Sequence, residues 1–389
     1  MFNRYSTVPF AIFLFALWVV FFIVSPWQDR ERNRVSSTVE TEISEKALAF
    51  HDTLFVADMH ADSLLWDRNL LERHDYGHVD IPRLKAGRVR LQVFSIVTKT
   101  PKNINLFENS SASDNITLLA VLSRWPVRTW NSLLQRALYQ SDKLHQLETE
   151  SKGQLQIILS KEDLEKTSKS DSKIAGILAV EGGHALEGDL NNLDVLFENG
   201  IRMVGFTHFF DNALGGSAHG LEKGGITEFG LAVMRRMEQL GVVVDVAHAS
   251  NALLADILRY AQKPVVSSHT GLSTICNDSP RNLSDEQALG IAATGGLLGI
   301  GFWPHAVCGN SIEDIMRTIE YAVNLVGIDH IALGSDFDGN VQTPFASDQL
   351  VLLTQAFLAQ GYSENDIKKI MGHNIRRLFL DLLPPSAAF

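Results

Sequence analysis

The sequence predicts a (β/α)8 barrel of the TIM type, preceded by an N-terminal transmembrane helix and interrupted by an insertion between its second and third strands. Three observations lead there. Eight short apolar runs recur along the chain, and helix-like segments separate most of them. Alternating β and α units joined by right-handed crossovers build a parallel sheet, and eight units favour closure into a barrel over an open sheet. Polar residues follow the runs. His60 and Asp62 follow the first, Glu181 the third, His248 the fifth, His269 the sixth and Asp336 the eighth. Chemistry collected at the carboxyl ends of strands is the habit of this barrel.

The runs are Leu54–Met59, Leu91–Val97, Ile174–Val180, Met203–Thr207, Val242–Ala247, Val265–Ser268, Leu297–Phe302 and Ile331–Ser335. They are rich in β-branched residues or leucine and almost continuously apolar, as parallel strands buried on both faces must be. Thr227–Leu240 reads as a crossover helix that stops at Gly241, and Asn251–Ala261, Ser284–Ala293 and Ser311–Val326 as others that start at Ser or Asn caps. Lys99–Lys173 breaks the rhythm and contains a helix-like stretch, Ser113–Leu147, read as lying over or beside the active-site face. Two further helices, Ser347–Gln360 and Ser363–Leu382, are expected outside the barrel.

The amino terminus has a different character. Pro9–Trp27 is almost wholly apolar and uninterrupted by charge. It is long enough to cross a hydrocarbon core of about 30 Å. No small-x-small cleavage site follows it, so it reads as an uncleaved single-pass anchor. Residues 28–45 are polar and read as a tether that leads into a helix near Glu42–His51. Arg30, Arg32 and Arg34 behind the span favour retention on the cytoplasmic side, but long translocated domains do not always obey local charge. The length of the span, its missing cleavage signature and the polar tether behind it go with the outer face. The expectation adopted is a barrel on the periplasmic or extracellular side.

Composition excludes some classes. The chain has 389 residues, 45% hydrophobic and 20% charged, the balance of a globular protein. A net charge of −11 argues against nucleic acid as a partner. Only two cysteines occur, Cys276 and Cys308, which allow one disulfide but no cysteine-rich zinc module.

Each candidate residue has a bland reading beside the chemical one. In Asp58-Met59-His60-Ala61-Asp62, strand alternation points His60 and Asp62 the same way, toward one cation. The same pair would also suit a solvated loop with a capping aspartate. Glu181, directly after an apolar run, is costly to bury unless paired or metal-bound, and its two oxygens can bridge two cations. A salt bridge to a barrel cation is the alternative. His248 and His269 end consecutive runs and could share a cation, with Asp245 either supporting them or purely structural. His208 would overfill a site that needs an open position, so it is assigned to substrate. Asp336 suits a proton shuttle. Asp338-Gly339 reads as a turn.

In this order these residues resemble the membrane dipeptidase (renal dipeptidase) family of amidohydrolase-like metallopeptidases. The similarity runs from about Phe55 to Leu380, through DMHAD, GHVDIPRLKAGRVRLQVFS, the EGG segment, IRMVGFTH, DVAHAS, SSHTG, the Arg281-Asn282 step and GSDFDG. The resemblance implies two Zn2+ ions per chain, one held by His60, Asp62 and Glu181 and the other by Glu181, His248 and His269. A bridging hydroxide would attack the scissile carbonyl. Asp336 would carry the proton to the leaving amine, His208 would stabilise the oxyanion and Arg281 would hold substrate oxygens. It implies a dipeptide substrate, with a D-residue tolerated at the second position, and a homodimer. On this reading residues 1–27 are tip and anchor, 28–50 tether and leading helix, and 51–389 the metal-dependent dipeptidase barrel.

The chain departs from mammalian members at DMHAD for DGHND, in the FTHFFDNALGGSAHG loop, and at Trp303 where those members carry a tyrosine near the substrate. Two other readings stand beside the dipeptidase. One is a related deacylase or peptide-maturation enzyme acting on a larger modified peptide, and the other a catalytically inactive, membrane-tethered binding protein.

Overall fold

The computed structural model describes residues 25–36 and 42–386. The span Pro9–Trp27 lies outside the described residues except for its last three positions, which open a helix, Ser25–Arg32. Among the described residues no helix is long and apolar enough to cross a membrane.

All eight runs form strands. They are β1 Val56–Ala61 and β2 Val89–Val97, then, after a short β3 at Leu155–Ile157, β4 Ile174–Glu181, β5 Ile201–Gly205, β6 Val243–Asp245, β7 Val265–Thr270, β8 Leu297–Ile300 and β9 Ile331–Leu333. Apart from β3 they follow one another in chain order, every neighbouring pair parallel. The ring closes where the Asp62 N–H donates to the Phe337 carbonyl at 2.8 Å, beside a parallel bridge between Ala61 and Phe337. One buried cluster draws on all eight strands, with Ala57, Leu91, Ala175, Met203, Val243, Val266, Leu297 and Ala332, and it includes Leu378 and Phe379 of the last helix. Side chains from every strand can meet only inside the ring, so the barrel is a packed core rather than a pore.

The crossover helices begin where their caps direct. The hydroxyls of Thr227, Ser250, Ser284 and Ser311 each accept an N–H from the first turn, and Gly241 ends its helix at φ +72°. Three differences from the sequence expectation have local causes. The stretch Ser113–Leu147 divides into helices Ile116–Leu122 and Leu133–Glu150, because Pro126 disfavours helical geometry at the residue before it. β3 was not anticipated, since three residues carry no periodic signal. The expected last helix, Ser363–Leu382, divides into Glu364–Lys368 and Asn374–Leu382, separated by a wide turn at Gly372. A Cβ at Gly372 would sit 2.0 Å from the Phe55 carbonyl, so only glycine permits this approach to β1.

The inserted segment is firmly attached. Buried Arg136 donates to the carbonyls of Thr98, Thr129 and Trp130 and pairs with Asp114 at 2.7 Å. Cys276 and Cys308 are joined as a disulfide, with their Cα atoms 5.1 Å apart. Of the segment read as a tether, residues 28–36 pack against the barrel. Asp29 is 2% exposed, Arg68 meets it at 2.6 Å, and the Asn340 N–H donates to Asn33.

Candidate active site

Glu181, the last residue of β4, is the hub of a buried cluster at the carboxyl ends of the strands. Its Oε1 lies 3.0 Å from His248 Nε2, 3.4 Å from His269 Nε2 and 3.8 Å from His60 Nε2. Its Oε2 faces His208 Nε2 at 3.3 Å. His60 Nε2 is also 3.5 Å from Asp62 Oδ1 and 4.0 Å from Asp336 Oδ1. Six side chains from five strand ends thus converge around one carboxylate. Backbone geometry contributes as well: His248 at φ +63° and Asp336 at φ +60° hold left-handed conformations that cost a non-glycine residue energy. Gly182, at φ +97°, makes the turn that frees the Glu181 carboxylate from the strand.

The electrostatics are set by deep burial and by the acids' effect on one another and on His60. Burial and the Asp62 carboxylate raise Glu181 well above the usual range, against the pull of His60. Burial likewise pushes Asp336 up to about 8, opposed by His60 and reinforced by Asp62. His60 would be lowered by burial, but Asp62, Glu181 and Asp336 outweigh that and push it up to about 10. Burial holds His208, His248 and His269 well below their ordinary value, so all three are neutral imidazoles, the form that ligates a cation. His60 Nε2 and Asp62 Oδ1 are buried without a hydrogen-bond partner. Carboxylates and imidazoles converging with orphaned ligand atoms fit divalent cations. Ligand atoms close enough for one ion are offered by His60, Glu181 and His269, by Glu181, His208 and His248, and by His60, Asp62 and Asp336.

The imidazoles are oriented from behind. The Ser268 hydroxyl donates to Asp245 Oδ2 at 2.6 Å and lies 2.9 Å from His269 Nδ1, leaving Nε2 aimed at the centre. Asp245 therefore supports a candidate ligand, and it also accepts the N–H groups of Ala247 and Ser268.

A profile of the membrane dipeptidase family, peptidase family M19, matches residues 44–382. The chain belongs to that family. It is a metallo-dipeptidase, and the match covers the whole barrel. Dipeptidase aclJ of Aspergillus oryzae is 26% identical over 349 residues, covering 84% of this chain and 78% of its own length. Dipeptidase verJ of Clonostachys rogersoniana is 25% identical over 308 residues, covering 77% and 75%. The barrel fold is shared with a metallopeptidase from Rhodobacter sphaeroides crystallised with a phosphinate mimic of the dipeptide L-Ala-D-Ala. The TM-score is 0.72 at 23% identity, over 85% of this chain and 99% of the other.

The residues given site roles in the sequence of this metallo-dipeptidase, His60, Asp62, Glu181, His208, His248, His269, Arg281, Trp303 and Asp336, lie at or beside the cluster. Except for His60, which lies behind it, they line a cavity of about 310 Å3 whose wall includes Asp62, Glu181, His208, His248, His269, Arg281, Trp303 and Asp336. Arg281 donates to the His269 carbonyl, and its guanidinium lies 5.1 Å from the Trp303 ring centre. His184 is buried nearby, outside the cavity wall, and burial lowers it to about 3.

Asp338 corrects the sequence reading. It is a fully buried charge rather than a plain turn residue. Its Oδ2 meets Arg68 at 2.7 Å and accepts the Ser63 hydroxyl at 2.6 Å, and its Oδ1 accepts the His78 N–H at 2.7 Å. Arg68 lies within a polar-looking run, WDRNLLERHD, and only the fold reveals its partner. Among the cavity residues that escaped the sequence reading, three are polar groups of note. His219, in SAHG, stands 5.2 Å from His248 ring to ring, with Nδ1 against the Leu106 carbonyl. Gln28 and Arg32 come from the segment taken for a tether.

Proposed function

We propose that this metallo-dipeptidase is a binuclear zinc enzyme that hydrolyses the peptide bond of small dipeptides, including those with a D-residue at the second position. The observation that carries the reading is the Glu181 carboxylate, with three imidazoles about one oxygen and His208 on the other. His60, Asp62 and Glu181 would hold one cation, and Glu181, His248 and His269 the other. When bound, the pair supplies Lewis acidity toward the scissile carbonyl and lowers the pKa of the attacking water. Asp336, in the cavity wall and 4.0 Å from His60, would take the proton from that water and deliver it to the leaving amine, the two cations favouring its carboxylate form. Neutral His208 donates Nε2–H to the carbonyl oxygen as negative charge develops there. Arg281, buried and beside Trp303, holds a substrate oxygen. The phosphinate dipeptide mimic in the Rhodobacter sphaeroides enzyme supports a substrate of L,D configuration. Elemental analysis of the purified protein should give close to two zinc ions per chain, and a panel of L,L and L,D dipeptides should be turned over. A single tightly bound metal, or no turnover with two zincs present, would overturn this reading.

We also propose that Pro9–Trp27 anchors the chain and that the barrel works outside the cytoplasm as a homodimer. The length of the apolar run and the polar residues behind it support the anchor. Protease added to intact cells should then digest the barrel. Digestion only after permeabilisation would place it inside, and a sedimentation mass of one protomer would remove the dimer.

A further inference from the structure

The family match begins at residue 44, yet two residues ahead of it, Gln28 and Arg32, form part of the active-site cavity. They are four positions apart on the helix Ser25–Arg32 and so share one face. The adjoining face carries Asp29, which accepts the Asn33 amide at 2.8 Å and meets Arg68 at 2.6 Å, deep in the barrel's loops. Asn33 in turn accepts the N–H of Asn340, and Gly339, Asn340 and Val341 line the same cavity. The helix is therefore a fitted wall of the cavity, fixed by buried contacts on one side.

The charges of this segment single out one residue. Asp29 pairs with Arg68, Arg30 with Asp75 at 2.8 Å, and Glu31 with Arg34. Arg32 has no ion pair among the described residues, and it is the only arginine of the segment in the cavity wall. Arg281, the other arginine of that wall, is 9% exposed and lies against His269 and Trp303, at the inner end of the cavity beside the cluster. Arg32 is exposed at the opening. An arginine left unpaired at the mouth of a cavity presents a planar fork of donors suited to a carboxylate.

We infer that Arg32 is a specificity-determining residue that binds an anionic group at the outer end of the substrate, so that the enzyme prefers dipeptides bearing an acidic side chain there. This rests on the dipeptidase reading of the same cavity. The test uses the zinc-loaded full chain with matched pairs Glu-Ala and Gln-Ala, Ala-Glu and Ala-Gln, and Lys-Ala and Ala-Lys. At one of the two positions the glutamate peptide should exceed its glutamine twin in kcat/KM by roughly 3- to 10-fold, mostly through KM, as expected of a partly exposed ion pair. Arg32→Ala should abolish that ratio, and Arg32→Glu should transfer the preference to the lysine peptide. Calorimetric binding of the same pairs to Asp336→Asn protein reads the preference without turnover, so it separates a failure of the dipeptidase reading from a failure of this one. A Glu-to-Gln ratio near one in the parent protein, or one that neither Arg32 variant changes, overturns the inference.

Discussion

Two carboxylates on one loop, Asp336 and Asp338, share burial and a left-handed backbone, at φ +60° and +63°, yet their environments push them in opposite directions. Asp336 looks into the cavity, where burial and Asp62 outweigh His60 and raise it. Asp338 looks the other way. Burial would raise it too, but the Arg68 guanidinium, with His78 and Ser63, overcomes that and holds it far below the usual range. Asp29, on the far side of Arg68, has fewer donors and is raised by burial to about 6. Burial alone therefore does not decide what a buried acid becomes; the sign and number of its neighbours do. The cavity cluster has acids, neutral imidazoles and orphaned ligand atoms, and is completed by cations. The Asp29–Arg68–Asp338 cluster brings its own cation and is a latch.

The largest effect should come from removing the hub of the first cluster. If two zinc ions share Glu181 as proposed, Glu181→Ala takes a ligand from both, so metal content should fall from two per chain to below one, and activity by about 10⁴-fold or more. Undiminished metal would show that Glu181 does not bridge. Asp336→Asn keeps the shape and loses the proton carrier. It should retain both zincs while kcat falls about 10²–10⁴-fold. Loss of metal with activity would turn Asp336 into a ligand.

The latch should respond in stability instead. Arg68→Met leaves Asp338 buried without its cation, which typically costs about 3–5 kcal/mol. In the parent protein the folded pKa of Asp338 is depressed, so its contribution is present above the unfolded value and fades as pH falls below about 4. In Arg68→Met, burial without the cation would raise Asp338 instead, so the destabilisation should be largest at neutral pH and shrink as pH falls toward 4, where the variant's Asp338 is protonated while the parent's is still ionised. A destabilisation equal at pH 4 and pH 7 would mean that Arg68 acts by packing rather than by charge.

The two clusters also differ in how far the sequence revealed them. The ring of strands was legible because buried parallel strands are apolar throughout, and the residues of the candidate site because they close those runs or follow them directly, as Glu181 follows the almost wholly apolar Ile174–Val180. The latch was not. Asp29, Arg68 and Asp338 are far apart in the chain, sit in polar stretches, and become a unit only when the Ser25–Arg32 helix packs beside the β1 and β9 loops. The same packing hid Gln28 and Arg32. Short β3 and the break at Pro126 were missed or misplaced because three residues, or one proline inside a long amphipathic stretch, leave little periodic signal.

The smallest effect compares two serines that serve the two clusters in parallel. The Ser268 hydroxyl connects Asp245 to His269 Nδ1, at 2.6 and 2.9 Å, and the Ser63 hydroxyl donates to Asp338 at 2.6 Å. If the first cluster is a metal site, Ser268→Ala loosens the orientation of a ligand and should weaken zinc binding about 10–100-fold, measured by competition with a chelator. Asp245→Asn should do the same in part, because an amide can also turn its donor toward the serine and disturb the relay. Ser63→Ala should leave zinc affinity untouched and cost about 1 kcal/mol of stability, the net value of one buried hydrogen bond. Equal zinc affinity in Ser268→Ala and Ser63→Ala would mean that His269 is oriented by packing alone. The distinction between a cluster that awaits cations and one that carries its own would then rest on Glu181 and Asp336 without help from the residues behind them.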